Sequence, residues 1–175
     1  PALNAQVGIG TFAGAVSLVA QDGKIVHHEA VGFLDAAKTR PMPRDAIFRL
    51  ASMTKPITSV ATMMLAEQGQ LKINDPVTNW LPELKNLKVE TPQGDVALAR
   101  PITVQDLLMH TAGLVYGPAS PSPRIGKMYA DLNIESLETD ISGDEMLKRL
   151  GTIPLLYQPG TTWFYSIATD VLGLL

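Results

Sequence analysis

The chain contains no cysteine, which excludes disulfide cross-links, thiol nucleophiles and thiolate metal sites. Charge is sparse and nearly balanced, with 14 Lys and Arg against 17 Asp and Glu. No basic run exceeds two residues, so neither nucleic acid nor an anionic membrane surface is expected as a partner. No stretch approaches the roughly 18 apolar residues of a membrane span. No charged-then-apolar leader opens the chain, and the expected compartment is the cytoplasm, with periplasmic or secreted placement as the alternative. Histidine is scarce too. His27 and His28 are neighbours in an expected strand and point to opposite faces, and His28-Glu29 is not followed by the second histidine of a zinc-protease motif. No metal is expected.

What is present fits a globular domain, with 175 residues of which 46% are apolar. The chain opens on Pro1 and stops on the uncapped apolar run Val171-Leu172-Gly173-Leu174-Leu175, so further polypeptide is expected beyond it.

Ala13 to Ala20 reads as a buried strand, Gln21-Asp22-Gly23-Lys24 as a hairpin turn, and Ile25 to Phe33 as the returning strand. Residues 34–47 read as an irregular connector. An amphipathic helix follows Ser52, with Ile57, Val60, Ala61, Met64 and Leu65 on one stripe and Gly69 as its stop. Pro56 is tolerated because it falls in the first turn. Thr103 reads as the N-cap of a helix through Val104, Leu107 and Leu108 that ends near His110, with Asp106 capping or pairing at its start. Residues 115–140 read as a long functional loop. Ser142-Gly143-Asp144-Glu145 is a capping box opening a helix to about Leu150, and a last helix follows Tyr165-Ser166.

Ser52 and Lys55 stand three residues apart at a helix start, so their side chains share a face. A serine hydroxyl needs a neighbour to take its proton, and a desolvated lysine is one candidate. First-turn backbone N–H groups favour negative charge at the same place. With eight serines and eight lysines in the chain, chance alone supplies about 0.4 such pairs, so context has to decide.

Four ordered segments supply it. They are Phe48-Arg49-Leu50-Ala51-Ser52-Met53-Thr54-Lys55, Ile102 to Leu114 with His110-Thr111-Ala112-Gly113-Leu114, Tyr157-Gln158-Pro159-Gly160, and Tyr165-Ser166-Ile167. Together they resemble the serine β-lactamase-like superfamily of class C β-lactamases and DD-peptidases, and above all the family VIII carboxylesterases. The resemblance implies an α+β fold (an α/β sandwich), with an antiparallel sheet flanked by helices and a mostly helical region. Residues 1–175 would be the N-terminal part of one catalytic domain, with the sheet hairpin and connector in 1–50 and the helical region in 51–175.

The resemblance also assigns roles. It makes Ser52 the nucleophile, Lys55 the general base or its partner, and Tyr165 the proton shuttle, with no cofactor. A tyrosine beside an ammonium can be held partly as phenolate, which fits that role chemically. The backbone N–H of Ser52 would form half of an oxyanion hole. In the β-lactamases and peptidases the tyrosine motif continues to an asparagine that holds a substrate amide; here Ile167 stands there, which turns the expectation towards apolar esters. Tyr116, Met128 and Tyr129 are candidates for an acyl or alcohol pocket, and His110 is read as a structural helix-end residue, stabilised there when protonated. The family's third motif, a late Lys-Thr-Gly or Trp-Gly-Gly strand, has no counterpart in these residues. The expected partners are therefore a small ester and the C-terminal remainder of the same enzyme.

The expected function is a serine carboxylesterase for short- to medium-chain esters. A β-lactamase or D-amino-acid peptidase is the alternative within the same chemistry, and a non-catalytic penicillin-binding or sensor-like module the alternative outside it.

Overall fold

A computed structural model describes residues 1–135 and 141–175. The chain divides into two compact units, Pro1–Leu50 and Ala51–Leu175.

The first unit opens with a short helix, α1 (Ala2–Gly8). It packs on β2 (Lys24–Gly32), which pairs antiparallel with β1 (Gly14–Gln21). Asp22 and Gly23 both take positive φ, 50° and 74°, as a two-residue turn requires where the strands twist right-handed. The register runs from Gly14 opposite Gly32 to Gln21 opposite Lys24, with an irregularity at Val19/Ala20. His27 and Ser17 meet across the ladder at 2.7 Å, and His28 turns the other way to the Arg44 carbonyl at 3.0 Å. The connector is fixed by a bridge between Phe33 and Pro41.

In the second unit, Ala51–Met53 forms a single 3-10 turn that leads into α2 (Thr54–Glu67). Two further 3-10 turns, Val77–Asn79 and Pro82–Leu84, bring Val77 and Leu84 into the core. A small antiparallel ladder joins β3 (Lys88–Val89) to β4 (Val96–Ala97). Helix α3 (Val104–Leu108) carries the expected N-cap: Thr103 and Asp106 form a reciprocal capping box. Residues 115–135 are not one loop. They hold a 3-10 turn at Gly117–Ala119 and α4 (Pro123–Asp131), which Ser122 caps and Pro123 starts; the remainder of the expected loop, residues 136–140, lies outside the described residues. Helix α5 (Gly143–Leu150) is capped by Ser142, whose hydroxyl accepts from the Glu145 N–H at 3.2 Å. Helix α6 (Ala168–Leu174) packs on α2 and α3.

The core runs from Leu71 to Leu172 through Val77, Leu84, Ile102, Leu107, Ile125, Leu150, Leu155 and Val171. Asp106 is the carboxylate buried in it among the described residues, 3% exposed. It accepts two hydrogen bonds from Arg100, at 2.6 and 2.9 Å, and others from the Thr103 N–H, Thr103 Oγ1 and Thr111 Oγ1. The expected apolar stripe of α2 is not covered. Ile57, Val60 and Met64 are 60, 59 and 53% exposed, and the residue α2 buries is Thr62, which donates to the Thr58 carbonyl at 3.0 Å. No helix among the described residues is long and apolar enough to cross a membrane.

Candidate active site

Three pieces of the second unit meet at one place: the turn entering α2, the segment after α3, and the segment entering α6. Ser52 sits in the 3-10 turn two residues before the first residue of α2, and Lys55 lies inside the first turn of α2. Ala51, the residue just before Ser52, has φ +46°. A left-handed conformation costs a residue with a Cβ roughly 1–2 kcal/mol, so the surrounding contacts hold the Ser52 turn in its bend.

Lys55 Nζ donates to Ser52 Oγ at 3.4 Å and to Tyr116 Oη at 2.9 Å. It also stands 4.9 Å from the centroid of the Tyr165 ring and 5.5 Å from that of Tyr116. The two tyrosine rings lie 5.7 Å apart at a tilt of 45°. One ammonium thus faces one serine and two phenols.

The charges follow from these contacts. Burial alone pulls the Lys55 pKa down, but hydrogen bonds with Tyr116 and Tyr165 and their charge outweigh it, and the net shift is upward. The upward shift favours the ammonium form of Lys55 and so, of the two expected arrangements, the one with a tyrosine beside a lysine cation. Tyr165 shifts the other way. A hydrogen bond from Ser52 lowers its pKa most, and the hydrogen bond and charge of Lys55 add to this against a small opposing effect of burial. The amine is thus held as its charged form, and the Tyr165 phenol beside it is made more acidic.

Ser52, Lys55, Tyr116 and Ile167 line a cleft of about 470 Å³, a size that suits a small-molecule ligand. Ile134 and Met146 add apolar wall, and Glu135 and Asp170 add acidic wall. Glu135 accepts from the Gly117 N–H at 2.8 Å; burial pushes its pKa up, that hydrogen bond lowers it and nearby Asp170 raises it further. Tyr129 is not part of the cleft. It is 3% exposed, packed in the core with its Cβ against Gly117, because the 3.6-residue period of α4 turns Ile125 and Tyr129 inward together. Met128 is likewise packed against the core.

Two contacts lay beyond the reach of the sequence. Tyr116, a candidate pocket wall, lines the cleft, and its hydroxyl also meets Lys55 across 61 residues of sequence, a tertiary contact with no local signature. His110, expected as a structural helix-end residue, is disfavoured as a cation. Burial and the charge of Lys55 lower its pKa, with Asp170 opposing, and its ring lies 4.7 Å from that of Tyr165.

Known proteins share this arrangement of chain. Esterase EstB of Burkholderia gladioli is 42% identical over 164 residues, covering 91% of this chain and 39% of EstB. The lovastatin esterase of Penicillium rubens is 33% identical over 179 residues, covering 97% of this chain and 43% of that enzyme. Among solved structures, EstCE1, described as a hydrolase with promiscuous acyltransferase activity, superposes with a TM-score of 0.85 at 33% identity, covering 99% of this chain and 44% of EstCE1. The chain thus spans well under half the length of the relatives it matches. The fold is that of the β-lactamases and transpeptidases, its helices and small antiparallel sheets matching the first part of that architecture. The Beta-lactamase family model matches residues 3–175, and the chain belongs to that family.

Proposed function

We propose that the protein is a serine carboxylesterase that hydrolyses short- to medium-chain esters through an acyl-enzyme on Ser52. The observation that carries this reading is the set of contacts around one serine: Lys55 Nζ reaches Ser52 Oγ at 3.4 Å and Tyr116 Oη at 2.9 Å and stands 4.9 Å from the Tyr165 ring centroid, with the Tyr165 pKa shifted down. Tyr165 accepts the Ser52 proton as Oγ attacks the ester carbonyl. Lys55 stays charged and stabilises the phenolate before that transfer, and Tyr116 orients it. In this reading the Ser52 N–H, just before the N-terminal end of α2, donates to the oxyanion that forms. Tyr165 then returns the proton to the departing alcohol. Water attacks the acyl-enzyme by the same route in reverse, giving the acid and restoring Ser52.

Substrate class follows from the cleft wall. Ile167, Ile134 and Met146 give an apolar surface for an acyl or alcohol chain, and no amide is available at position 167 to hold a peptide-like group. Glu135 and Asp170 on the same wall disfavour a substrate that brings a carboxylate, as β-lactams do. Relatives named as esterases support the reading. Residues 1–175 form the N-terminal part of the catalytic domain in this proposal, and the remainder of the enzyme supplies the facing wall and the second oxyanion donor.

The test is a p-nitrophenyl butyrate assay beside a nitrocefin assay on the full-length protein, together with fluorophosphonate labelling read by mass spectrometry. An adduct on Ser52 and faster ester turnover are expected. Faster nitrocefin turnover would move the assignment to the β-lactamases, and an absent adduct would leave a non-catalytic module.

A further inference from the structure

We infer that His110 is a positioning residue for Tyr165, acting only as a neutral imidazole whose Nδ1 carries a lone pair. The inference rests on Tyr165 being the base proposed above.

The geometry clamps Tyr165 from both sides of the chain. The carbonyl of His110 accepts the Phe164 N–H at 2.9 Å, and its ring Nδ1 accepts the Ser166 N–H at 3.2 Å. The residues before and after Tyr165 are thus both tied to His110, and the two rings lie 4.7 Å apart at a tilt of 42°. His110 reaches this pose only in the left-handed region, at φ +55°, an uncommon state for a residue with a Cβ. Strain of this kind persists where the surroundings over-determine it.

The tautomer follows from the donors. A backbone N–H can only donate, so Nδ1 must be unprotonated and the ring proton must sit on Nε2. Ser166 Oγ lies 3.3 Å from the same nitrogen and itself accepts from the Ala168 N–H at 3.2 Å. Its own proton is therefore free to point at Nδ1 as well. Ser166 is 1% exposed, so water is not at hand to replace a lost acceptor. An imidazolium would set Nδ1–H against the Ser166 N–H and release the Tyr165 segment.

The charges around the ring point the same way. Lys55 faces it from α2 and opposes a second cation, Asp170 faces it from α6 and favours one, and Tyr165 covers it. Burial and Lys55 prevail, and the His110 pKa lies below its ordinary value. The clamp therefore holds at neutral pH and opens on acidification.

Two measurements on the full-length protein test this. Long-range nitrogen–proton NMR of histidine-labelled protein at pH 7 is expected to show His110 Nδ1 unprotonated and Nε2 protonated. An Nδ1–H tautomer or an imidazolium would overturn the inference even where Tyr165 proves essential. The second is the pH profile of kcat. In the native protein, log kcat falls with a slope of about one while the base titrates and steepens to about two below the His110 pKa. His110→Asn keeps an acceptor oxygen near the place of Nδ1 and tolerates the left-handed backbone. It should retain most of kcat and lose the steeper limb. His110→Ala should lower kcat by on the order of 10- to 100-fold with KM little changed. Native kcat in His110→Ala, or an unchanged acid limb in His110→Asn, would refute the positioning role. Near-native turnover in Tyr165→Phe would instead remove the base assignment, an outcome the NMR measurement separates from failure of the clamp.

Discussion

The units Pro1–Leu50 and Ala51–Leu175 hold their shapes by different means. In the first, no residue is buried; the β1–β2 ladder, the Asp22-Gly23 turn and the Phe33–Pro41 bridge define its geometry. In the second lies every buried hydrophobic residue among those described. Backbone pairing suffices to fix a hairpin, but a hairpin alone is only marginally stable in water. A catalytic constellation needs its side chains fixed to within about half an ångström, and only a packed core supplies that. Ser52, Lys55, Tyr116, His110 and Tyr165 accordingly all stand on the second unit.

The largest effect that separates shape from chemistry is expected at the cleft. Tyr165→Phe and Lys55→Ala should each lower ester turnover by about 10²- to 10⁴-fold, the usual contribution of a positioned acid or base. The melting temperature should move little, because Tyr165 is 39% exposed and neither side chain fills the core. A large drop in thermal stability alongside the lost activity would show that the site and the core are not separable in this way.

The core itself is best broken at Asp106. Asp106→Ala removes the hydrogen bonds Asp106 accepts from Thr103, Thr111 and Arg100, with Arg100 itself 43% exposed, and strips the cap from α3, at a cost of about 1–3 kcal/mol. Denaturant unfolding measures it. The pH dependence has a definite sign. Burial raises the Asp106 pKa, but the bonds from Arg100 and Thr103 outweigh it and leave it below the ordinary carboxylate value. A depressed folded-state pKa gives stability that is fully present above the unfolded value and is lost as pH falls through the folded one. Acid unfolding between neutral pH and pH 2 should therefore be steeper in the native chain than in Asp106→Asn. Equal steepness would mean that Asp106 is not a main proton-linked group.

The same division explains what could be read from residues alone. The hairpin is legible because Asp22-Gly23 between two β-rich runs has one good solution. Helix α2 is legible from its period, but the fate of its stripe is not: periodicity says which residues share a face, and what covers that face is a tertiary fact. Helix α4 was hidden by the Pro, Ser and Gly around it, although Ser122-Pro123 is a cap followed by a favoured first residue. At the site, the Ser52–Lys55 spacing is local and visible. The choice between Tyr116 and Tyr129 is not, since both fall in one irregular stretch. It turns on the helical phase that sends Tyr129 in with Ile125.

Within the first unit, a comparable effect is expected at Gly32. Its φ is +74°, and a Cβ there would stand 2.9 Å from both Gly14 Cα and Val7 Cγ1. Gly32→Ala should cost on the order of 1–3 kcal/mol. Hydrogen exchange of the 175-residue chain reads where that cost falls. Faster exchange in β1 and β2 with unchanged protection in α3 and α6 would show that the units open separately. Uniform loss would show that they unfold as one.

The smallest effect is expected on the exposed stripe of α2, and it carries the sharpest contrast. Ile57 is 60% exposed, so in the 175-residue chain Ile57→Ser should change stability by no more than about 0.5 kcal/mol. The relatives are more than twice as long as the segment matched here, and we propose that further polypeptide covers this stripe in the complete enzyme. Burying such a side chain fully is worth about 1.5–3 kcal/mol. The same substitution in the full-length protein should then cost that much more than it does in the shorter chain. Denaturant unfolding of both lengths, native and variant, gives the difference directly. An equally small cost at both lengths would mean that the stripe faces solvent in the whole protein too, and that the boundary between a cored and an uncored region runs through α2 itself.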